Sequence, residues 1–252
     1  MQFVKGYDRI QPLYIVAGTK MDFYGLQKMT LLDFPKKVAC TVFTGGCNFR
    51  CPFCHNALLV TKLCRDDIFS EQDILDFLKK REGLLDGVCV TGGEPLMQKG
   101  LPAFLEKVKA MGFAVKVDTN GSFPDRLKSI IDSGLCDYVA MDIKNSKEKY
   151  AETVGIPDFD ITPIERSVEI LKSGAVPFEF RTTVVKELHG IPDIEAIAKW
   201  ISPAENFFLQ QFVDSGDLIG RGLSAHSTAT LEKMKDAALE YIPNVQIRGT
   251  EI

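Results

Sequence analysis

From residue 36 onward the chain repeats one unit: a short apolar segment, a polar loop, a segment of helical periodicity and a glycine. This recurrence constrains the fold most, because strands that alternate with helices bury their apolar faces as parallel strands joined by crossover helices. Candidate strands lie at 38–44, 87–91, 114–118, 137–143, 178–185 and 206–212. Helices are expected at 71–82, 99–111, 123–133, 163–173, 193–201 and 228–241. Gly83, Gly112, Gly134 and Gly174 each follow the last periodic residue of a helix, where a left-handed position favours glycine. Thr162 is expected to cap the helix that starts at Pro163, with Glu165 completing a capping box.

Six βα units in 252 residues predict a single α/β domain, a partial (β/α)6 barrel of parallel strands with its active site at the strands' C-terminal ends. An open doubly wound sheet would give a similar string of elements and would also place function at those ends. Residues 1–24 stand outside the repeat and read as an N-terminal extension of unknown role, with Met21 a candidate start. The domain is then 25–252.

Bulk properties exclude some functions. Thirty basic and 34 acidic residues give a net charge of -4, and no basic block marks a nucleic-acid or anionic-membrane surface. No apolar run approaches the ~18 residues of a membrane span, and the Leu13 to Ala17 run is a weak signal-peptide candidate. Seven cysteines, three of them within eight residues, do not form a disulfide framework. A cytoplasmic, reducing setting is expected.

The crowded cysteines fall in Gly45-Gly46-Cys47-Asn48-Phe49-Arg50-Cys51-Pro52-Phe53-Cys54-His55, directly after the first candidate strand. A structural zinc ion takes four ligands, whereas Cys47, Cys51 and Cys54 have no fourth nearby. An iron-sulfur cubane normally takes four thiolates, so three would leave one iron open to an incoming chelating group.

The later strands carry one polar face each. Lys116 and Asp118 share a side opposite Val115 and Val117; Tyr138, Ala140, Asp142 and Lys144 share one opposite Val139, Met141 and Ile143. Glu179, Arg181 and Thr183 repeat the pattern. In a barrel-like sheet the apolar side belongs under the helices, so these polar groups would line the interior. Taken singly, Asp118 could be a cap, Lys144 a solvated lysine, and Gly92-Gly93-Glu94-Pro95 a turn that needs glycine only for its conformation.

C-x3-C-x2-C after a first strand, with Phe53 before its last cysteine, resembles the motif of the radical S-adenosylmethionine superfamily. That resemblance implies a [4Fe-4S] cluster on Cys47, Cys51 and Cys54 whose open iron takes the amino and carboxylate groups of S-adenosylmethionine. One electron then splits the sulfonium to methionine and a 5′-deoxyadenosyl radical. It also implies that Gly92 and Gly93 offer backbone acceptors to the methionine ammonium while Glu94 holds the turn.

Asp118-Thr119-Asn120-Gly121 and Asp142-Ile143-Lys144 resemble segments of the glycyl-radical activating enzymes, such as the activase of pyruvate formate-lyase. The resemblance assigns Asp118 to ribose with Thr119 nearby, Asp142 to the methionine ammonium and Lys144 to its carboxylate. Phe53 and Arg181 join them as cofactor-binding candidates. That activase has a ribose-contacting histidine after its last strand, whereas Leu209-Gln210-Gln211-Phe212-Val213 has none, leaving Gln210 or Gln211 as substitutes. His55 recurs in the activases and is either a group that tunes the cluster or a structural histidine. Cys40, Cys89 and Cys136 read as small buried hydrophobes, and Cys64 has no reading.

Gly25 to Pro35, joined to Cys47 through Asn56, is similar to the longer anaerobic ribonucleotide reductase activating proteins. The implied activity is removal of a hydrogen atom from a backbone glycine of a glycyl-radical enzyme, with flavodoxin or ferredoxin as electron donor. The alternative is a small-molecule radical enzyme resembling 7-carboxy-7-deazaguanine synthase. The four remaining cysteines are too dispersed for an auxiliary cluster.

Overall fold

The computed structural model describes residues 20–63 and 68–249, and its strands form one nine-stranded sheet. In chain order the elements are β1 (Asp22–Thr30), β2 (Ala39–Thr44), α1 (Ala57–Thr61), β3 (Phe69–Ser70), α2 (Glu71–Lys79), β4 (Gly87–Gly92), α3 (Leu101–Ala110), β5 (Ala114–Thr119) and α4 (Pro124–Asp132). There follow β6 (Tyr138–Asp142), α5 (Tyr150–Val154), α6 (Thr162–Lys172), β7 (Phe178–Val184), α7 (Ile191–Ile201), β8 (Asn206–Gln211), α8 (Thr228–Leu239) and β9 (Asn244–Arg248).

The sheet order is β3-β1-β2-β4-β5-β6-β7-β8-β9, parallel from β2 through β9. From β2 onward the strands add in sequence without reversal, which excludes the doubly wound alternative, since that fold needs a switch point in strand order. Right-handed crossovers in one direction put the crossover helices on one face and curl the sheet around the other. β3 and β9 do not pair, so the barrel is partial.

Strand alternation decides what each face holds. Val115, Val117, Val139 and Met141 are fully buried on the helix side. They pack with Leu105 and Val108 of α3, Leu127 and Ile130 of α4, and Val168 and Leu171 of α6, residues that recur every three or four positions and give each helix one apolar stripe. The helices stop where expected: Gly83, Gly112, Gly134 and Gly174 have φ of 75, 88, 66 and 76°, values glycine adopts without steric cost.

Three expectations change. Thr162 is the first helical residue of α6, not its cap: its N–H donates to Asp160 Oδ1 at 3.0 Å, and Ile161 precedes it without a side-chain cap. Glu165 consequently forms no capping box and pairs with Lys147 at 2.6 Å. The expected boundary at residues 24 and 25 falls inside β1, which pairs antiparallel with β2 and β3 and carries the fully buried Phe23 onto Phe104 of α3, centroids 4.8 Å apart. β1 has no following helix and is exposed along much of its length, so neither a βα repeat nor a regular alternation marks it. A seventh parallel strand, β9, follows α8; its polar Asn244, Gln246 and Arg248 alternate with only two apolar residues. Residues 1–19 and Cys64 lie outside the described residues. No described helix is long and apolar enough to cross a membrane.

If β1 is integral to the core, Phe23→Ala leaves a cavity beside Phe104 and should cost about 3–5 kcal/mol in denaturant unfolding, the usual loss for a buried phenylalanine. A loss below about 1 kcal/mol would show that β1 is a dispensable flank.

Candidate active site at the strand ends

The cysteine loop leaves β2 and is clasped by the turn that leaves β4. Gly93 N donates to Thr44 O at 2.9 Å and Glu94 N to Gly46 O at 2.8 Å, so main-chain pairing of the two strands continues past their ends. The approach is close enough that a Cβ on Gly93 would stand 1.9 Å from Gly46 O. Gly92 has φ of +116°, and Asn56 Nδ2 donates to its carbonyl at 3.0 Å. Gly46 N meets Leu59 O of α1 at 2.7 Å, and Gln98 Nε2 meets Gly45 O at 2.7 Å. The two glycine pairs therefore serve close main-chain approach as well as turning.

Glu94 fastens this clasp to the neighbouring strand. Its side chain is completely buried; Oε1 accepts from Leu96 N at 3.0 Å and Thr119 Oγ1 at 2.8 Å, and Oε2 from Asn120 N at 2.7 Å. Burial raises its carboxyl to about 7 against the opposing pull of those three donors.

Among the thiols, Cys47 Sγ receives Phe49 N at 3.3 Å and Asn120 Nδ2 at 3.6 Å, and Cys54 N donates to Cys51 O at 3.1 Å. Burial pushes Cys47 up to about 12 and Cys51 up to about 11, and raises Cys54 as well. Without metal these groups are neutral thiols, and loading them releases protons. Among the described residues no three His, Cys, Asp or Glu side chains are gathered so as to hold a single metal ion.

An alternating row of charges crosses the ends of β5, β6 and β7. Lys116 Nζ pairs with Asp118 Oδ1; Asp118 Oδ2 meets Arg181 Nη1 at 3.0 Å; Arg181 Nε meets Asp142 Oδ1 at 2.9 Å; Asp142 Oδ2 meets Lys144 Nζ at 2.9 Å. Lys116 is 1% exposed beneath the row. Against the cost of burial, Arg181 and Lys144 hold the Asp142 carboxyl at about 2, and Arg181 and Lys116 hold Asp118 below its usual range. Both aspartates are thus ionised, and each carboxylate oxygen retains a lone pair for a further donor.

Thiols and charges line one cavity of about 420 Å³, within the ~300–1,000 Å³ range of small-molecule sites. Cys47, Cys51, Cys54, Phe53, Gly92, Gly93, Asp118, Thr119, Asp142, Lys144 and Arg181 all line it; Glu94 does not, and acts from behind the wall. Phe53 is buried, its ring edge-on to His189 at 6.3 Å, while His55 is exposed at the cavity's margin with its ring 6.0 Å from Phe212. Gln210 faces the cavity and Gln211 turns away, donating to His226 O at 3.4 Å.

Sequence reasoning missed other contributors. Gln27 of β1 and Asn120 also line the cavity. His189, 1% exposed, accepts Val185 N at Nδ1 (3.0 Å), which leaves Nε2–H to donate to Lys144 O at 2.8 Å and fix the backbone beneath that lysine. Strand parity could have distinguished Gln210 from Gln211, but no local signal marks His189.

Two alanine substitutions separate close approach from conformational strain. Gly93→Ala must push the cysteine loop away and should cost about 1–3 kcal/mol while lowering iron uptake on anaerobic reconstitution. Gly112→Ala, at φ of +88° with nothing within 4 Å of its Cβ, should cost about 1 kcal/mol and leave iron uptake intact. Equal iron content in both variants would show that the clasp does not shape the site.

Comparison with known proteins agrees with this geometry. The model of the Radical SAM superfamily matches residues 41–201, more than half of the chain. A Methanocaldococcus jannaschii protein provisionally named a glycyl-radical enzyme activating enzyme is 33% identical over 234 residues, covering 89% of this chain and 94% of that protein. A GTP 3′,8-cyclase of Helicobacter pylori is 28% identical over 68% of this chain but only 56% of its own length. In fold, the chain resembles a domain of a pyruvate-formate lyase-activating enzyme from Bacteroides vulgatus (TM-score 0.53, 16% identity, 65% of this chain and 99% of that one). It also resembles Streptococcus suis SuiB bound to S-adenosylmethionine (TM-score 0.63, 14% identity, 82% and 49%). With three cysteines in the loop after its first parallel strand and a partial barrel behind them, the chain belongs to the Radical SAM superfamily.

Proposed function

We propose that this protein is a glycyl-radical enzyme activase, with anaerobic ribonucleotide reductase as its partner. The observation that carries the reading is one cavity lined both by the three thiols and by the Asp118, Arg181, Asp142 and Lys144 row. S-adenosylmethionine carries an ammonium, a carboxylate and ribose hydroxyls, the groups such a row can pair. The 33% identity to a protein named as an activase, over nearly the full length of both chains, supports this class over small-molecule chemistry of the deazaguanine-synthase type.

The thiols suit a [4Fe-4S] cluster: three donors in one loop, with no fourth ligand gathered beside them among the described residues, would deprotonate on iron and leave one iron open. When bound, that cluster supplies the electron that cleaves the sulfonium to methionine and a 5′-deoxyadenosyl radical. The rest is positioning by this chain. Lys144 exchanges Asp142 for the cosubstrate carboxylate, and Asp142 takes the ammonium. Asp118 and Gln210 face the ribose, and Glu94 keeps Gly92 and Gly93 in place. The chemistry so supplied would remove a hydrogen atom from a glycine Cα of the partner, giving 5′-deoxyadenosine and a glycyl radical. A flavodoxin or ferredoxin in the cytoplasm is the proposed source of the electron.

Anaerobically reconstituted protein should show a paramagnetic reduced cluster, release 5′-deoxyadenosine and, with a glycyl-radical partner, generate the glycine-centred doublet in electron paramagnetic resonance. Cys51→Ala should lose cluster and cleavage together. Lys144→Ala should keep the cluster and weaken cosubstrate binding about 10- to 100-fold, as expected for one charge-assisted pair. Turnover of a small molecule without a doublet from any glycyl-radical partner would overturn the activase reading, and no release of 5′-deoxyadenosine would overturn radical chemistry here.

A further inference from the structure

Lys144 ends the charge row but stands beyond its strand. β6 stops at Asp142, and pairing with β7 ends at Ile143, whose N–H donates to Arg181 O at 2.8 Å. A binding group on a loop is held less exactly than one on a strand unless its neighbours fix it. Residues 185–190, which follow β7, supply that support. Asn145, fully buried, donates from Nδ2 to Leu188 O at 3.1 Å and to Thr153 Oγ1 at 2.8 Å, and His189 Nε2 meets Lys144 O at 2.8 Å.

Both polar contacts of the His189 ring demand the same tautomer. Val185 N can only donate and stands 3.0 Å from Nδ1; Lys144 O can only accept and stands 2.8 Å from Nε2. Nδ1 is therefore bare and Nε2 carries the proton. Burial lowers the ring's pKa against the pull of those two main-chain groups, so the ring stays neutral. Its own main chain is held as well: His189 N donates to Val185 O at 2.8 Å, and His226 Nε2 meets His189 O at 2.7 Å. The same ring touches the thiol side of the site. Phe53, between Cys51 and Cys54, is 3% exposed and packs against it edge-on, centroids 6.3 Å apart.

We propose that His189 is a positioning residue for cosubstrate binding: its Nε2–H holds the Lys144 main chain while its ring seats Phe53. The ammonium of Lys144 and the cysteine loop then stay at the separation that one S-adenosylmethionine molecule spans. The proposal rests on the reading of the cavity as a site for S-adenosylmethionine. His189 does not itself line that cavity and acts through Lys144, which does.

Two substitutions in the full chain split the ring's two hydrogen bonds. Glutamine places an amide nitrogen where Nε2 lies and can still donate to Lys144 O. Asparagine places its amide where Nδ1 lies, which keeps Val185 N paired and leaves Lys144 O without its donor. Each variant is compared with wild type for melting temperature before reconstitution, iron content after it, and the Kd for S-adenosylmethionine by equilibrium dialysis. The expected result is wild-type iron in both, with binding weakened about 5- to 30-fold in His189→Asn and within about twofold of wild type in His189→Gln. In a Lys144→Ala background, His189→Asn should weaken binding no further, because the residue through which it acts is gone. Unchanged binding in His189→Asn, equal weakening in both variants, or the same weakening with Lys144 removed overturns the proposal. So does failure of His189→Asn to fold or to take up iron, which would make the ring part of the general frame. If wild type itself binds no S-adenosylmethionine, the underlying reading of the cavity falls instead.

Discussion

The site depends on a single continuation of backbone pairing. β2 and β4 are in register from Ala39 and Gly87 to Thr44 and Gly92, and the bonds from Gly93 and Glu94 to Thr44 and Gly46 carry the pairing beyond the last strand residue. Only a residue without Cβ permits this, since Gly93 passes where a side chain would collide with Gly46 O. The cysteine loop is consequently not an independent ligand loop draped over the barrel. Its first turn inherits the precision of the sheet, and Glu94 extends that precision to β5 by bonding both Thr119 and Asn120.

The second constraint is electrostatic. Isolated charges at this depth would be costly to desolvate, and even paired ones need good geometry to recover that cost. Alternation solves the problem here: Arg181 serves two aspartates, and each aspartate has a second cation, Lys116 or Lys144. The two ends of the row differ. Lys116 is 1% exposed and faces Cys89 Sγ at 3.9 Å, so it is locked, whereas Lys144 borders the cavity and can change partners. An incoming zwitterion with ammonium and carboxylate on one carbon is a fitting replacement for the Asp142–Lys144 contact. The exchange would trade one paired arrangement for another without leaving a buried charge uncompensated.

What could be read from the sequence follows from which signals are local. Val115, Lys116, Val117 and Asp118 alternate along one strand, so both the strand and its polar face are visible before any fold is known. Gly83 and Gly112 announce helix ends because left-handed backbone is a one-residue requirement. The three cysteines lie within eight residues of one loop. β1 and β9, in contrast, are edge-side strands whose burial depends on partners distant in sequence, and Thr162 was misplaced because Asp160, two residues earlier, supplies the hydrogen bond that starts α6.

The groups that escaped sequence reading act through others. His189 supports the Lys144 main chain across 45 residues, and Asn120 reaches Cys47 Sγ across 73. Nothing in the spacing of such residues reports their function, because the sheet, not the chain, makes them neighbours. In this fold the residues that could touch cosubstrate are written in motifs, while those that govern how the motif residues behave are written in tertiary contacts.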